Sequence, residues 1–158
     1  MQTLQPDTLI KNPTGCRVTS AVVLSKDARS VWNIVGNFSD FTTFIPALSY
    51  IEMLGTGVGG LRKKLFKDGN IVVEQLNSYD EQSMHMTWST LFNTLGIGNL
   101  WASMTVKALS DRECLATWNV IADPMVNAEQ TLDELQNFIQ GFIDEAMANV
   151  RMLSEHRP

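Results

Sequence analysis

NAEQTLDELQNFIQGFIDEAMANVRMLSE, residues 127–155, decides the fold. Leu132, Leu135, Ile139, Phe142, Ala146, Val150 and Leu153 recur at steps of three and four, opposite Glu134, Asn137, Gln140 and Asp144. That spacing is the apolar stripe of one long amphipathic helix, from Asn127 to about Glu155. Everything before it, from Arg17 to Ala122, runs in short alternating segments punctuated by Gly, Asp and Asn, the pattern of an antiparallel meander. A single stripe placed after such a meander must lie on the concave face of the sheet, because a half-buried sheet needs a cover. The expected class is α+β, with the space between helix and sheet as the ligand site.

Working back from the helix, Cys114–Ala122 turns Ala116, Trp118 and Val120 inward by period two, and Asn99–Leu109 does the same with Leu100, Ala102, Met104 and Val106. Ser83–Leu91 places Met84, Met86 and Trp88 on one face and His85, Thr87 and Ser89 on the other. LRKKLF and IVVEQLNSY flank KDGN, whose Asp68-Gly69 pair is a hairpin signal. Leu48–Leu54 and Arg17–Leu24 supply two further strands. Between those two, Ser25 or Asp27 caps a helix carrying Val31, Trp32, Ile34 and Val35 that ends at Gly36. Asn37–Phe44 reads as a second short helix with Phe38, Phe41 and Phe44 on one face, stopped by Pro46.

A chain of 158 residues fits one domain and buries about two thirds of its unfolded surface. We expect an extension over 1–16 followed by a single domain over 17–155. With 44% hydrophobic and 18% charged residues the composition is globular, not disordered. A net charge of −5 and a pI near 4.9 argue against a nucleic-acid groove or an anionic membrane surface as partner. The opening MQTLQPDTLIKNPTG lacks the basic and apolar regions of a signal peptide, and no apolar run approaches the ~20 residues of a membrane span. A cytoplasmic protein without an integral membrane segment is the expectation. Cys16 and Cys114 fall at opposite ends of strands that would pair, on the order of 20 Å apart, so two free thiols are expected.

Several motifs fail on inspection. Gly55, Gly57 and Gly60 match GxGxxG, yet only LRKKLF separates them from the next turn, too short for the helix a dinucleotide site requires. His85, on the outer face of its strand, and His156, two residues from the C-terminus, are the only histidines, which argues against a metal site or a Cys-His nucleophile pair, and no GxSxG elbow is present. No metal and no cofactor are expected. Arg62 and Glu74 are more specific: the hairpin sets them opposite each other, and alternation groups Glu74 with Val72 and Leu76. If both face inward they are the charged feature of the cavity; the plain alternative is a structural ion pair or two surface charges.

VWNIVGNFSDFTTFIPAL (31–48), GTGVGGLRKKLFKDGNIVVEQLNSYD (55–80), TWNVIADP (117–124) and the terminal helix together resemble the polyketide cyclase/dehydrase branch of the SRPBCC superfamily, the START-like or birch-pollen-allergen-like helix-grip proteins. The likeness spans nearly all of Val18–Leu153. It rests on Val31-Trp32, Phe38, Pro46, the GxGxGxxR run ending at Arg62, Gly69, Glu74 and Leu76, Asp80, Trp118 and Pro124. The resemblance implies a seven-stranded antiparallel sheet gripping the C-terminal helix, with two short helices after the first strand closing one end of an elongated apolar cavity. Such proteins commonly bind lipids, sterols, polyketides, plant hormones or other hydrophobic molecules, and a minority catalyse cyclisation or dehydration. NTLGIGN (93–99) departs from the proline-and-aromatic segment usual there.

Three readings follow. In the first, the chain binds, and in a transport role carries, a small hydrophobic or amphipathic ligand lined by Phe41, Phe44, Met84, Met86, Trp88, Met104, Trp118, Phe138 and Phe142, with Arg62 and Glu74 at its polar end. In the second it is a cyclase or dehydratase whose Arg62, Glu74 and Tyr79 move protons around a constrained substrate. In the third the aromatic residues fill the core, no ligand binds, and the domain works through a protein partner or a homodimer; the chain is expected to be a monomer or homodimer.

Overall fold

The computed structural model describes residues 13–126 and 128–156. The extension read over 1–16, the expectation about its opening residues and Asn127 as first helical residue therefore fall wholly or largely outside the described residues. In chain order the elements are β1 (Cys16–Leu24), α1 (Ala28–Val35), β2 (Leu48–Leu54), β3 (Leu61–Phe66), β4 (Ile71–Asp80), β5 (His85–Asn93), β6 (Ile97–Ser110), β7 (Glu113–Pro124) and α2 (Leu132–His156). All sheet neighbours are antiparallel, in the order β1-β7-β6-β5-β4-β3-β2, so the first strand closes against the last. The α+β helix-grip architecture expected from the sequence is present. Among the described residues no helix is long and apolar enough to cross a membrane.

Helix α2 lies along β1 and β7, and α1 packs on β6, β7 and α2. Its buried stripe is Leu135, Ile139, Ile143, Ala146, Met147 and Val150. The start of α2 corrects the sequence reading. Thr131 and Glu134 form a capping box, with Glu134 N donating to Thr131 Oγ1 at 3.1 Å and Thr131 N to Glu134 Oε1 at 3.3 Å. The helix consequently begins at Leu132, where the stripe itself starts and five residues after the expected bound at Asn127, and Leu132 is exposed.

A second correction concerns Asn37–Phe44, which forms consecutive turns and no helix. Asp40 N donates to Asn37 O at 3.1 Å, and the Asp40 carboxylate then takes Thr42 N at 3.0 Å, so short polar side chains compete for the backbone groups a helix would use. The turns still deliver their apolar cargo. Phe41 and Phe44 are fully buried with ring centroids 4.7 Å apart.

Two strand starts also differ. Met84 sits in the turn before β5 with φ 54°, and β6 begins at Ile97 instead of Asn99. The glycine run is a hairpin loop between β2 and β3, anchored by Leu76 N donating to Gly60 O at 3.0 Å, with a strand and no helix after it. Cys16 pairs with Ala122 and Cys114 with Leu24 in the β1–β7 register; both thiols are free and buried, and burial pushes Cys114 up to about 11.

Gly36 ends α1 for a reason the sequence does not advertise. Its φ is −89°, which any residue adopts. Space is the constraint, since a Cβ there would stand 2.3 Å from Cε2 of Trp32, a ring almost wholly buried and unable to yield. Gly36→Ala should therefore cost about 1–3 kcal/mol, the usual range for overpacking, read as a lower urea midpoint. An unchanged midpoint would show that the Trp32 ring can move.

Candidate functional site

Because α2 covers only the β1–β7 side of the concave face, a cavity of about 310 Å³ remains between the helix and strands β3 to β7. Its β6, β7 and α2 wall is apolar: Leu100, Ala102, Trp118, Val120, Phe138, Ile139, Phe142 and Ile143. The β3–β5 wall brings Lys64, Phe66, Val72, Glu74, Trp88 and Thr90. Asp68 and Asn70 of the β3–β4 turn, with Asn93 and Leu95 of the β5–β6 turn, form the mouth beside the half-exposed Phe138. Thr94 ties these turns together, since Ile71 N donates to its Oγ1 and that hydroxyl donates to Asn70 Oδ1, both at 2.9 Å. Asn93 organises the NTLGIGN segment by accepting from Leu95 N and Ile97 N at 3.0 Å.

Arg62 and Glu74 stand directly opposite each other in the β3–β4 register, and alternation puts Lys64 on the same face as Arg62. Arg62 Nε donates to Glu74 Oε1 at 2.7 Å and Lys64 Nζ lies 3.1 Å from the same oxygen. All three residues are buried. Arg62 is walled in: Nη1 donates to Phe38 O at 2.9 Å, and Cζ lies 3.9 Å from the Phe38 ring centroid, 4.0 Å from that of Phe41 and 5.0 Å from that of Trp88.

One carboxylate serving two cations makes the electrostatics lopsided. Burial alone would raise the Glu74 carboxyl, but the Lys64 and Arg62 charges and their hydrogen bonds outweigh it and hold it below the ordinary value. Burial lowers Lys64, and the half-share of Glu74 it receives, offset by Arg62, does not restore it. Arg62 is lowered by burial for the same reason, though a guanidinium keeps its proton.

Of the sequence candidates, Glu74, Trp88, Trp118, Phe138 and Phe142 line the cavity. Phe41, Met86 and Met104 do not: they are fully buried in the filled part of the core, with Met86 opposite Met104 in the β5–β6 register. Met84 lies partly buried in its turn, and Phe44 borders a separate cleft of about 40 Å³ beside α2. Arg62 stands behind the wall. Tyr79 is apart from the ion cluster, its ring 5.6 Å from that of Trp32 and its hydroxyl bonded to Glu81, and burial and that bond push its phenol up. Sequence reasoning passed over Lys64 and Thr90. Strand parity carried the signal for both, since Lys64 shares parity with Arg62, and Thr90 with Met86 and Trp88.

The sequence profile of the family described as polyketide cyclase / dehydrase and lipid transport matches residues 15–155. Among solved structures, the protein XoxI from Bacillus cereus superposes with a TM-score of 0.81 at 17% identity, over 89% of this chain and 96% of its own. The ZhuI aromatase/cyclase from Streptomyces sp. R1128 gives 0.75 at 13% identity, covering 90% and 94%. A START superfamily protein from Mycobacterium smegmatis gives 0.74 at 9% identity, covering 88% and 97%. At these identities the likeness is one of fold. No curated protein sequence matches the chain.

Glu74→Gln leaves two buried cations without an anion and should cost about 3–5 kcal/mol, roughly 10 °C or more in Tm. The loss should shrink as pH rises toward 10.5, the ordinary lysine value. Without the Glu74 charge that partly holds Lys64 up, the folded variant releases this proton at lower pH than the wild type does, the unfolded state binds more protons over a wider range, and the variant gains more stability as pH rises. At the acid end the wild type should show the same direction, stability rising with pH: the Glu74 contribution is complete above 4.5 and is lost as pH falls through the lowered value. A small pH-independent loss in the variant would mean that the cluster contributes little.

Proposed function

The chain belongs to the polyketide cyclase / dehydrase and lipid transport family, and from that premise we propose that it binds a small hydrophobic or amphipathic molecule in the cavity under α2. The observation that carries this reading is the cavity itself. About 310 Å³ lies between the helix and the sheet, at the lower end of the usual range for ligand pockets, lined mainly by aliphatic and aromatic side chains with a few converging polar groups. A filled core does not account for it. The interior is filled around Met86, Met104, Phe41 and Phe44, and the space begins where Trp88 and Trp118 face each other with centroids 6.0 Å apart.

Catalysis by proton transfer has less support. A general acid or base works best when it titrates near the operating pH. Glu74 is held ionised by two cations, Tyr79 lies outside the lining, and Arg62 is sealed behind Phe38 and Phe41. The polar groups suit orienting a ligand better than moving its protons. Carriage of the ligand in the cytoplasm, by a monomer or a homodimer, completes the reading.

Nile red, a neutral dye, should bind the purified protein saturably, and native mass spectrometry should detect any small molecule that travels with it. Leu100→Trp, which extends a ring into the space, should weaken dye binding by about tenfold or more, the equivalent of a modest overpacking penalty. Met104→Leu, in the filled core, is the control. Absence of dye uptake by the wild type, or equal uptake by the Leu100 variant, would overturn the proposal.

A further inference from the structure

The buried charges beside the cavity, two cations and one carboxylate, do not balance. Arg62 and Lys64 share one oxygen of Glu74, at 2.7 and 3.1 Å. Asp68 is exposed at the mouth, where its Oδ1 accepts from Asn70 N and its Oδ2 from Asn70 Nδ2, each at 2.9 Å. The α2, β6 and β7 residues of the lining carry no charge. Arg62 is sealed by the Phe38 and Phe41 rings and bonded to Phe38 O, so the surplus cation that reaches the cavity is Lys64. A buried cation with half a counter-ion is costly, and an anion beside it relieves that cost.

Independent support comes from the neighbouring polar atoms. Thr90 pairs with Glu74 across β4 and β5, is buried, and its hydroxyl has no hydrogen-bond partner among the described residues. The indole N–H of Trp118, another lining residue, is in the same condition. Hydroxyl, indole and ammonium are all donors, and a lone buried donor costs free energy that an acceptor on a ligand recovers.

Resting on the cavity reading above, we propose that the site selects a monoanionic amphipathic molecule, its carboxylate against Lys64 and the Thr90 hydroxyl and its hydrophobic body against Val120, Phe142 and Ile143. The surplus is a single charge, which one carboxylate cancels and a dianionic phosphate would overshoot. The modest volume limits the body to a medium chain or a compact ring system.

Displacement of Nile red from the full chain by decanoic acid, 1-decanol and decylamine near neutral pH tests this. The acid should compete about ten- to a hundredfold more tightly than the alcohol, the range of a charge-assisted hydrogen bond, with the amine weakest. In Lys64→Met, which leaves Arg62 and Glu74 as a one-to-one pair, the acid-to-alcohol ratio should fall to about one or below; Lys64→Gln serves if that variant does not fold. Equal competition by acid and alcohol in the wild type, or an unchanged ratio in the Lys64 variant, overturns the anion preference while leaving the cavity reading in place. If the dye itself does not bind, the cavity reading fails and takes this inference with it.

Discussion

One helix is too narrow to cover the concave face of a seven-stranded sheet. Helix α2 rests on β1 and β7, which places the remaining strands under a gap that other parts of the chain must fill or leave open. The α1–β2 connection fills one part with Phe38, Phe41 and Phe44, and Met86 and Met104 pack into the same region. Trp88, Trp118 and Phe142 then meet ring to ring, with Trp118–Phe142 centroids 6.2 Å apart, and beyond that aromatic partition the space is open. The cavity thus arises from the geometry of coverage, and the residues around it determine what it prefers.

Arg62 connects the filled part to the open part. Its guanidinium is held by Glu74 on the sheet, by Phe38 O on the connection and by the faces of Phe38 and Phe41. A segment that does not form a helix is tied to the sheet by this side chain, and to α2 by Asn149 Nδ2 donating to Phe44 O at 3.1 Å. Rigid planar donors suit such a task better than a flexible ammonium, because the fork can bond an acid and a carbonyl while its faces stack on rings. Lys64, two residues along the strand, pairs with Glu74 and lies 5.9 Å from the Phe66 ring centroid, and it remains on the cavity side. The two cations share an anion and divide the labour, one holding the fold together and the other facing the space.

The sheet and the long helix were legible because their periodicities are strong and span many residues. Trp118, Val120, Ala102 and Met104 fall inward as alternation demands, and Arg62 opposes Glu74 because a two-residue turn signal at Asp68-Gly69 leaves little freedom of register. Local competition defeated the rest. Asp40 and Asn37 bend a segment whose phenylalanine spacing imitates a helix, and a capping box at Thr131 starts the last helix at the first residue of its stripe, after the polar residues that the sequence reading includes. Site residues were harder still. Met86 and Trp88 share parity on β5, yet one lies in solid core and the other on the cavity, a difference set by how far α2 and the aromatic partition reach along the strand. In LRKKLF, Lys63 and Lys64 look equivalent, and only the parity with Arg62 separates the buried lysine from its partly exposed neighbour.

A cavity with one charged wall and one apolar wall discriminates in a way that a uniformly greasy one does not. Hydrophobic contact rewards any molecule of suitable size at roughly 25 cal/mol per Å² and rejects few. A buried ammonium and unpaired donors reject ligands that fail to pair with them, because those groups then stay desolvated and unsatisfied in the complex. On the proposed reading, selectivity rests on a handful of positions on β3, β4 and β5, namely Lys64, Glu74 and Thr90, while apolar contact is spread over β6, β7 and α2. Structures that share the fold at 9 to 17% identity have room to replace those few wall residues without disturbing the sheet, the helix or the gap between them.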